Sequence, residues 1–85
     1  MQKIVSVSRE DIRMGYSGCP EQCAVALALE REGFSNVYVD KVTIAAEIDG
    51  NYYGFPVSRR LSRWLERYDK QKPVKPIRFI VNVYQ

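Results

Sequence analysis

The sequence predicts an α+β domain in which two helices pack on a mostly antiparallel, four- to five-stranded sheet, in the order β-α-β-β-β-α-β. Three patterns support this prediction. An apolar helical stretch follows Pro20, residues 42–48 and 77–84 alternate apolar and other side chains, and Asp49-Gly50 has the composition of a tight hairpin turn. A chain of 85 residues is long enough for a single domain, so we expect residues 1–85 to form one.

The chain is expected to begin with a strand over residues 3–8, in which Val5 and Val7 share one face. Ser8 and Asp11 then have the spacing of a helix capping box. A brief helical turn is therefore predicted over residues 9–14, and Gly15 is expected to end it.

The first long helix is predicted over residues 20–32. Pro20 suits the first helical position, because its φ is already helical and its missing N–H would have no partner there. Cys19 would then be the N-cap, and the Gln22 side chain would reach back to the cap N–H. Gly33 is placed to end the helix in the left-handed conformation.

Apolar side chains cover almost the whole circumference of this helix. They are Cys23, Ala24, Val25, Ala26, Leu27, Ala28 and Leu29. A helix that is apolar all round is buried on more than one side. We therefore expect a sheet on one face and a second helix or a partner chain on the other, which leaves a homodimer open, with only residues 30–32 solvated.

Two strands are predicted over residues 36–40 and 42–48. In the second, every other side chain is expected to face inward, namely Val42, Ile44, Ala46 and Ile48. Both residues of the Asp49-Gly50 turn need a positive φ, and the returning strand spans residues 51–55.

The second helix is predicted to open at Pro56. It carries an amphipathic stripe of helical period, made of Val57, Leu61, Trp64, Leu65 and Tyr68. An extended connector with two prolines follows over residues 71–76. The last strand has apolar residues on both faces (Ile77, Phe79, Val81 and Val83 on one, Ile80 and Tyr84 on the other), which predicts a place in the interior of the sheet.

Charge is distributed unevenly along the chain. The formal net charge is +3, but residues 57–75 alone carry seven basic and two acidic residues, a net +5. On the second helix, one face collects the basic side chains Arg59, Arg60, Arg63, Arg67 and Lys70. Such a face can dock an acidic protein surface or phosphates, or it can be a solvated face that keeps the domain soluble. Tyr52 and Tyr53, on the predicted hairpin, are candidates for stacking on bases, although both are ordinary strand residues.

The residue content argues against most catalytic chemistry. Histidine is absent, so histidine-based acid–base catalysis is excluded, and two cysteines without histidine cannot complete a standard zinc site. We expect no enzymatic activity, no metal and no cofactor. Cys19 and Cys23 remain candidate reactive thiols, if Cys19 caps the helix and its sulfur becomes a thiolate. The alternative is a pair of small, inert structural residues.

Several short motifs resemble small uncharacterised proteins of bacteriophage genomes. They are Asp11-Ile12 followed by Gly15, Cys19-Pro20 before an Ala/Leu-rich helix, Tyr53-Gly54-Phe55-Pro56, and Lys72-Pro73-Val74-Lys75-Pro76 with Phe79 beyond. The resemblance implies a phage-encoded protein of the host cytoplasm with no catalytic activity.

Four functions are consistent with these patterns. The first is a module that binds a host protein, such as a defence or transcription component, through the basic helix face. The others are a salt-dependent nucleic-acid binder, a thiol redox protein, and a protein that sequesters a nucleotide signal. The start of the chain lacks the pattern of a signal peptide, and no apolar run is long enough to cross a membrane, so we expect a cytoplasmic protein without a membrane partner.

Overall fold

The computed structural model describes residues 2–83 and contains, within them, five strands and three helices. In chain order these are β1 (Gln2–Val7), α1 (Arg9–Met14), α2 (Ala24–Arg31), β2 (Ser35–Val39), β3 (Thr43–Ile48), β4 (Asn51–Pro56), α3 (Arg59–Asp69) and β5 (Ile77–Asn82). The α+β class is confirmed, and the turn predicted over residues 9–14 is the short helix α1, which makes three helices instead of two.

The strands form two antiparallel sheets rather than one. A three-stranded sheet has the order β2-β3-β4, and β5 pairs with β1 in a separate two-stranded sheet. The prediction that the last strand lies inside a larger sheet is therefore wrong. Its second apolar face is not covered, because Ile80 lies opposite Ile4 and both side chains are more than half exposed. Val83 is buried just beyond the strand, and Tyr84 lies outside the described residues.

The core is built around α2, which packs on β1, β2 and α1. The largest fully buried side chains are Leu29, Ile44, Val5, Val7 and Val25. The prediction that α2 is buried on more than one side is confirmed, and elements of the same chain bury it. The apolar circumference of α2 therefore no longer argues for a partner chain, and a homodimer stays a prediction without that support.

The predicted start of α2 is wrong by four residues. Helix geometry begins at Ala24 with Cys23 as the N-cap, and residues 16–23 form a loop that includes Gly18 at φ +76°. The Pro20 carbonyl accepts a hydrogen bond from the Val39 N–H at 2.9 Å, which ties the loop to β2. The Pro20 carbonyl therefore accepts its hydrogen bond from β2 and not from the first turn of a helix. At the other end, Gly33 has φ +102°, as expected.

The hairpin between β3 and β4 follows the sequence pattern. Asp49 and Gly50 have φ values of +52° and +79°, and Ile44, Ala46 and Ile48 are buried. Val42, predicted to face inward, is 74% exposed instead. The cause is a turn in which Asp40 Oδ1 accepts hydrogen bonds from the Val42 and Thr43 N–H groups at 2.8 and 2.7 Å, so the strand starts after Val42.

The third helix starts at Arg59, not at Pro56. Pro56 still pairs with Thr43 in the sheet, and the Val57 N–H donates to the Val42 carbonyl at 2.9 Å. Ser58 is the N-cap, since its hydroxyl accepts from the Leu61 N–H at 3.2 Å. Of the predicted apolar stripe, Leu61, Trp64, Leu65 and Tyr68 are buried, whereas Val57 precedes the helix and is half-buried.

Candidate functional site

An elongated groove runs between α3 and the outer face of the β1–β5 sheet. Its volume is about 690 Å³, and it is lined by Ile4, Arg60, Trp64, Lys75, Pro76, Ile77, Arg78, Phe79 and Ile80. We call it the basic groove, because Arg60, Lys75 and Arg78 supply its charges and no acidic residue lines it. Its apolar surface includes Ile4 and Ile80, directly opposite each other in the antiparallel register.

Two hydrogen bonds fix one side of the basic groove. The indole Nε1 of Trp64 donates to the Lys75 carbonyl at 2.7 Å, and the Arg60 guanidinium donates to the Arg78 carbonyl. These bonds attach the connector and the start of β5 to α3. Trp64 is buried whereas Arg60 is exposed, so the indole bond is the one that is better shielded from solvent.

The five predicted basic residues of α3 do not have equal roles. Arg60 and Arg67 donate to backbone carbonyls, the latter to Pro73 at 3.2 Å. Lys70 pairs with Glu66 at 3.2 Å, and both side chains are more than half exposed, so this pair is worth little. Arg59 and Arg63 are exposed and have no hydrogen bond or ion pair within residues 2–83. They are the cations most available to a partner.

The two candidate aromatic residues lie away from these cations. Tyr53 is half-buried and stacks on Phe55, with ring centroids 5.8 Å apart. Tyr52 is exposed, but it lines a different groove, to which none of the five basic residues contributes. The basic face and the exposed aromatic side chain therefore do not form one surface on which a nucleic-acid strand could stack its bases and pair its phosphates.

The two cysteines have free thiols in a mostly enclosed setting. Cys23 is 3% exposed, and burial raises the pKa of its thiol, outweighing nearby backbone N–H groups that favour the thiolate. Cys19 is half-buried and lines, with Cys23, a cavity of about 290 Å³. The expectation that Cys19 caps the helix is wrong, since Cys23 has that position and makes no side-chain capping bond. The arrangement favours two structural residues.

This interpretation predicts slow chemistry at Cys23. In a Cys19→Ser variant, we expect a thiol-specific alkylating reagent to modify Cys23 about 100-fold more slowly in the native protein than in denaturant, because the buried neutral thiol must first be exposed. Mass spectrometry against time measures both rates. A native rate close to that of the unfolded chain would contradict a structural role.

The described chain offers neither a metal centre nor a membrane span. Within residues 2–83, no three His, Cys, Asp or Glu side chains are grouped so as to hold a metal ion. No helix of that same part is long and apolar enough to cross a bilayer.

Sequence reasoning missed half of the basic groove. Lys75 and Arg78 follow α3 in the chain, and only the folding of the connector brings them beside Arg60. The sequence did not show that Ile4 and Ile80 are exposed, because apolar residues on both faces of β5 are equally typical of a buried strand. The alternation of apolar residues on both faces of β5 was the available signal, but it does not say which face is covered.

Comparison of the chain with protein-family models, with curated proteins and with solved structures finds no match. The resemblance to small bacteriophage proteins therefore stays a prediction, and the basic groove is the surface that best supports a function.

Proposed function

We propose that this domain is a non-enzymatic binding module that docks on an acidic and partly apolar surface of another protein. The docking surface combines the basic groove with the neighbouring cations Arg59 and Arg63. The observation that carries the proposal is the exposed pair of Ile4 and Ile80, set among Arg60, Lys75 and Arg78. Apolar contact supplies affinity, and the surrounding cations supply steering and register.

A protein partner fits this surface better than a nucleic acid does. Binding of a single nucleic-acid strand without sequence readout combines cations that follow the phosphates with aromatic faces for the bases. The aromatic residues that line the basic groove, Trp64 and Phe79, are buried and half-buried. The exposed apolar side chains beside the cations are those of Ile4 and Ile80, and the exposed tyrosine Tyr52 lines another groove. Exposed aliphatic side chains beside guanidinium and ammonium groups instead complement a protein surface that carries carboxylates around an apolar centre.

If the chain is phage-encoded, as the resemblance implies, the partner would be a protein of the host cytoplasm. A module without catalytic groups acts on such a partner by occupying a surface, so it would block or redirect the partner rather than modify it. Defence complexes and transcription components are the first candidates under this proposal, and the partner among them would present an acidic and partly apolar surface.

The experiment is affinity capture from bacterial lysate with matched charge variants. Arg59→Glu/Arg63→Glu changes the formal net charge from +3 to −1, and Arg9→Glu/Arg13→Glu on α1 does the same. We expect a discrete protein captured by the wild type and by the α1 control, and at least about tenfold less with the α3 variant.

Two outcomes would contradict the proposal. Equal loss in both variants would show that net charge, not the location of the cations, controls capture. Recovery of nucleic acid alone, in an amount that falls steeply as the salt concentration rises, would instead favour a nucleic-acid binder.

A further inference from the structure

A second groove, larger than the basic groove, collects the exposed aromatic side chains of the domain. Its volume is about 830 Å³, and its lining includes Met14, Tyr16, Tyr38 and Tyr52. These are all three of the exposed aromatic residues within residues 2–83, together with an exposed methionine. We call it the aromatic groove. It shares no lining residue with the basic groove.

The exposure of these side chains is unusual for a small domain. Each of the four is between 46% and 66% exposed, although aromatic side chains and methionine gain most from burial. Single exposed apolar residues need no explanation, but a cluster in one concave surface marks an interaction site. The cluster draws on the end of α1, the loop before α2, β2 and β4, so it arises from the fold and not from one segment.

The walls of the aromatic groove are fixed by hydrogen bonds. The Tyr16 N–H donates to the Gln22 carbonyl at 2.9 Å, which closes the loop on one side. On the other side, the Tyr52 hydroxyl donates to the Asn36 carbonyl at 3.2 Å. Asn36 has φ +49° and donates from its side chain to Glu47 Oε1 at 3.1 Å, beside an irregularity in the pairing of β2 with β3. The Tyr52 hydroxyl is thus held by β2, and the loop that carries Tyr16 is closed by a backbone hydrogen bond.

The charge of the aromatic groove is opposite to that of the basic groove. Glu21 and Glu30 line it, and no lysine or arginine of residues 2–83 does. Neither carboxylate has a salt bridge within those residues. Aromatic ring faces attract cations, and the thioether of methionine adapts to aliphatic stems. Rings, carboxylates and a flexible apolar side chain together complement a long side chain with a cationic end.

We propose that the aromatic groove binds an arginine or lysine side chain presented by a basic peptide segment of a partner protein. The aliphatic stem lies along the tyrosine rings and Met14, and the cationic group reaches Glu21 and Glu30. The inference does not rest on the proposed function, because the two grooves share no residue and accept partners of opposite charge.

The test uses fluorescence anisotropy with two labelled peptides, one arginine-rich and one with glutamine in place of each arginine. The wild type is expected to bind the arginine peptide at least about tenfold more tightly than the glutamine peptide. Glu21→Gln/Glu30→Gln keeps the side-chain volume and should weaken binding about threefold to tenfold, and Tyr16→Ala should do the same. Glu10→Gln/Glu66→Gln removes two exposed carboxylates that do not line the aromatic groove, so it is the matched control and should retain binding.

Equal binding of the two peptides, or unchanged binding by both groove variants, would overturn the proposal. Thermal melting of each variant shows whether it is folded, and the isosteric Glu→Gln variant keeps the test decisive if Tyr16→Ala unfolds. Self-association that is lost in Glu21→Gln/Glu30→Gln, with no peptide binding by the wild type, would also overturn it. The groove would then accept a second copy of this chain.

Discussion

Gly15→Ala is expected to destabilise the domain by about 3 kcal/mol, as overpacking of a closed core does. A Cβ atom at this position would lie 2.5 Å from the Tyr68 hydroxyl oxygen and 2.6 Å from the Ala24 backbone nitrogen. Tyr68 and Ala24 are both buried, so neither can move aside cheaply. Gly15 has φ −75°, which any residue adopts, and the requirement for glycine is therefore the close approach of α1, α2 and α3.

Chemical denaturation measures this effect, and Gly54→Ala provides the matched control. A Cβ atom at Gly54 would meet only the Thr43 Cγ2 atom, at 4.0 Å. The control should change the free energy of unfolding by no more than about 0.5 kcal/mol, or raise it slightly through the lower entropy of the unfolded chain. Similar losses in the two variants would show that Gly15 is not a point of close packing.

Arg31→Ala is expected to lower the free energy of unfolding by about 2 kcal/mol. Arg31 donates to both carboxylate oxygens of Asp11, at 2.7 and 2.8 Å, and to the Ser6 carbonyl at 2.6 Å. Asp11 is 5% exposed, so removal of its partner leaves a buried charge that only the Ser8 cap still stabilises. A fully buried pair would be worth more, but the Arg31 side chain is 49% exposed, and solvent weakens the interaction.

The contribution of this pair should disappear in acid. Burial alone would raise the pKa of Asp11, but hydrogen bonds from Arg31 and Ser8 outweigh burial and hold the pKa below its ordinary value. A carboxyl whose pKa is lower in the folded state stabilises the fold above its unfolded pKa of about 3.9. That stability is lost as the pH falls through the folded pKa, so the two proteins should converge below about pH 4.

The exposed pair of Lys70 and Glu66 is the control for this prediction. Lys70→Ala should cost no more than about 0.5 kcal/mol at neutral pH, because both partners remain hydrated. Urea denaturation of the wild type and both variants between neutral and acidic pH measures all the differences. A constant difference between wild type and Arg31→Ala across this range would show that the charge of Asp11 is not what Arg31 stabilises.

Local patterns predicted local structure well in this chain. The capping box of Ser8 and Asp11 is present with both of its hydrogen bonds, and the Asp49-Gly50 turn has both positive φ values. These features depend on residues within a few positions of one another, so the sequence contains all that determines them. The amphipathic stripe of α3 was predicted for the same reason.

Features set by distant partners were predicted less well. Pro20 fits a helix start by propensity, but its carbonyl pairs with β2, nineteen residues along the chain, and α2 begins later. Arg31 is exposed, as expected, but the sequence did not show that a carboxylate of α1 orders its side chain. The apolar pattern of β5 predicts that the segment is a strand, but it does not predict which strand pairs with it. Tertiary contacts decided each of these cases, and a single sequence does not show them.

The candidate site shows the same division. The cations of α3 follow from helical periodicity, so the basic face could be predicted from the sequence. The groove beside it could not, because Ile4 and Ile80 meet only through the pairing of the first and last strands. The aromatic groove is harder still, since its tyrosines come from a loop and two strands that no short motif relates.

Docking of a protein partner on an apolar floor among cations is tested most directly by removing the floor. The measurement is capture from bacterial lysate with Ile4→Ser/Ile80→Ser beside the wild type and the folded control Val42→Ser. Because all three positions are exposed, the variants should keep their melting temperatures. We expect the paired variant to lose at least about tenfold in captured partner and the control to lose none. Capture by the paired variant at the wild-type level would contradict the claim.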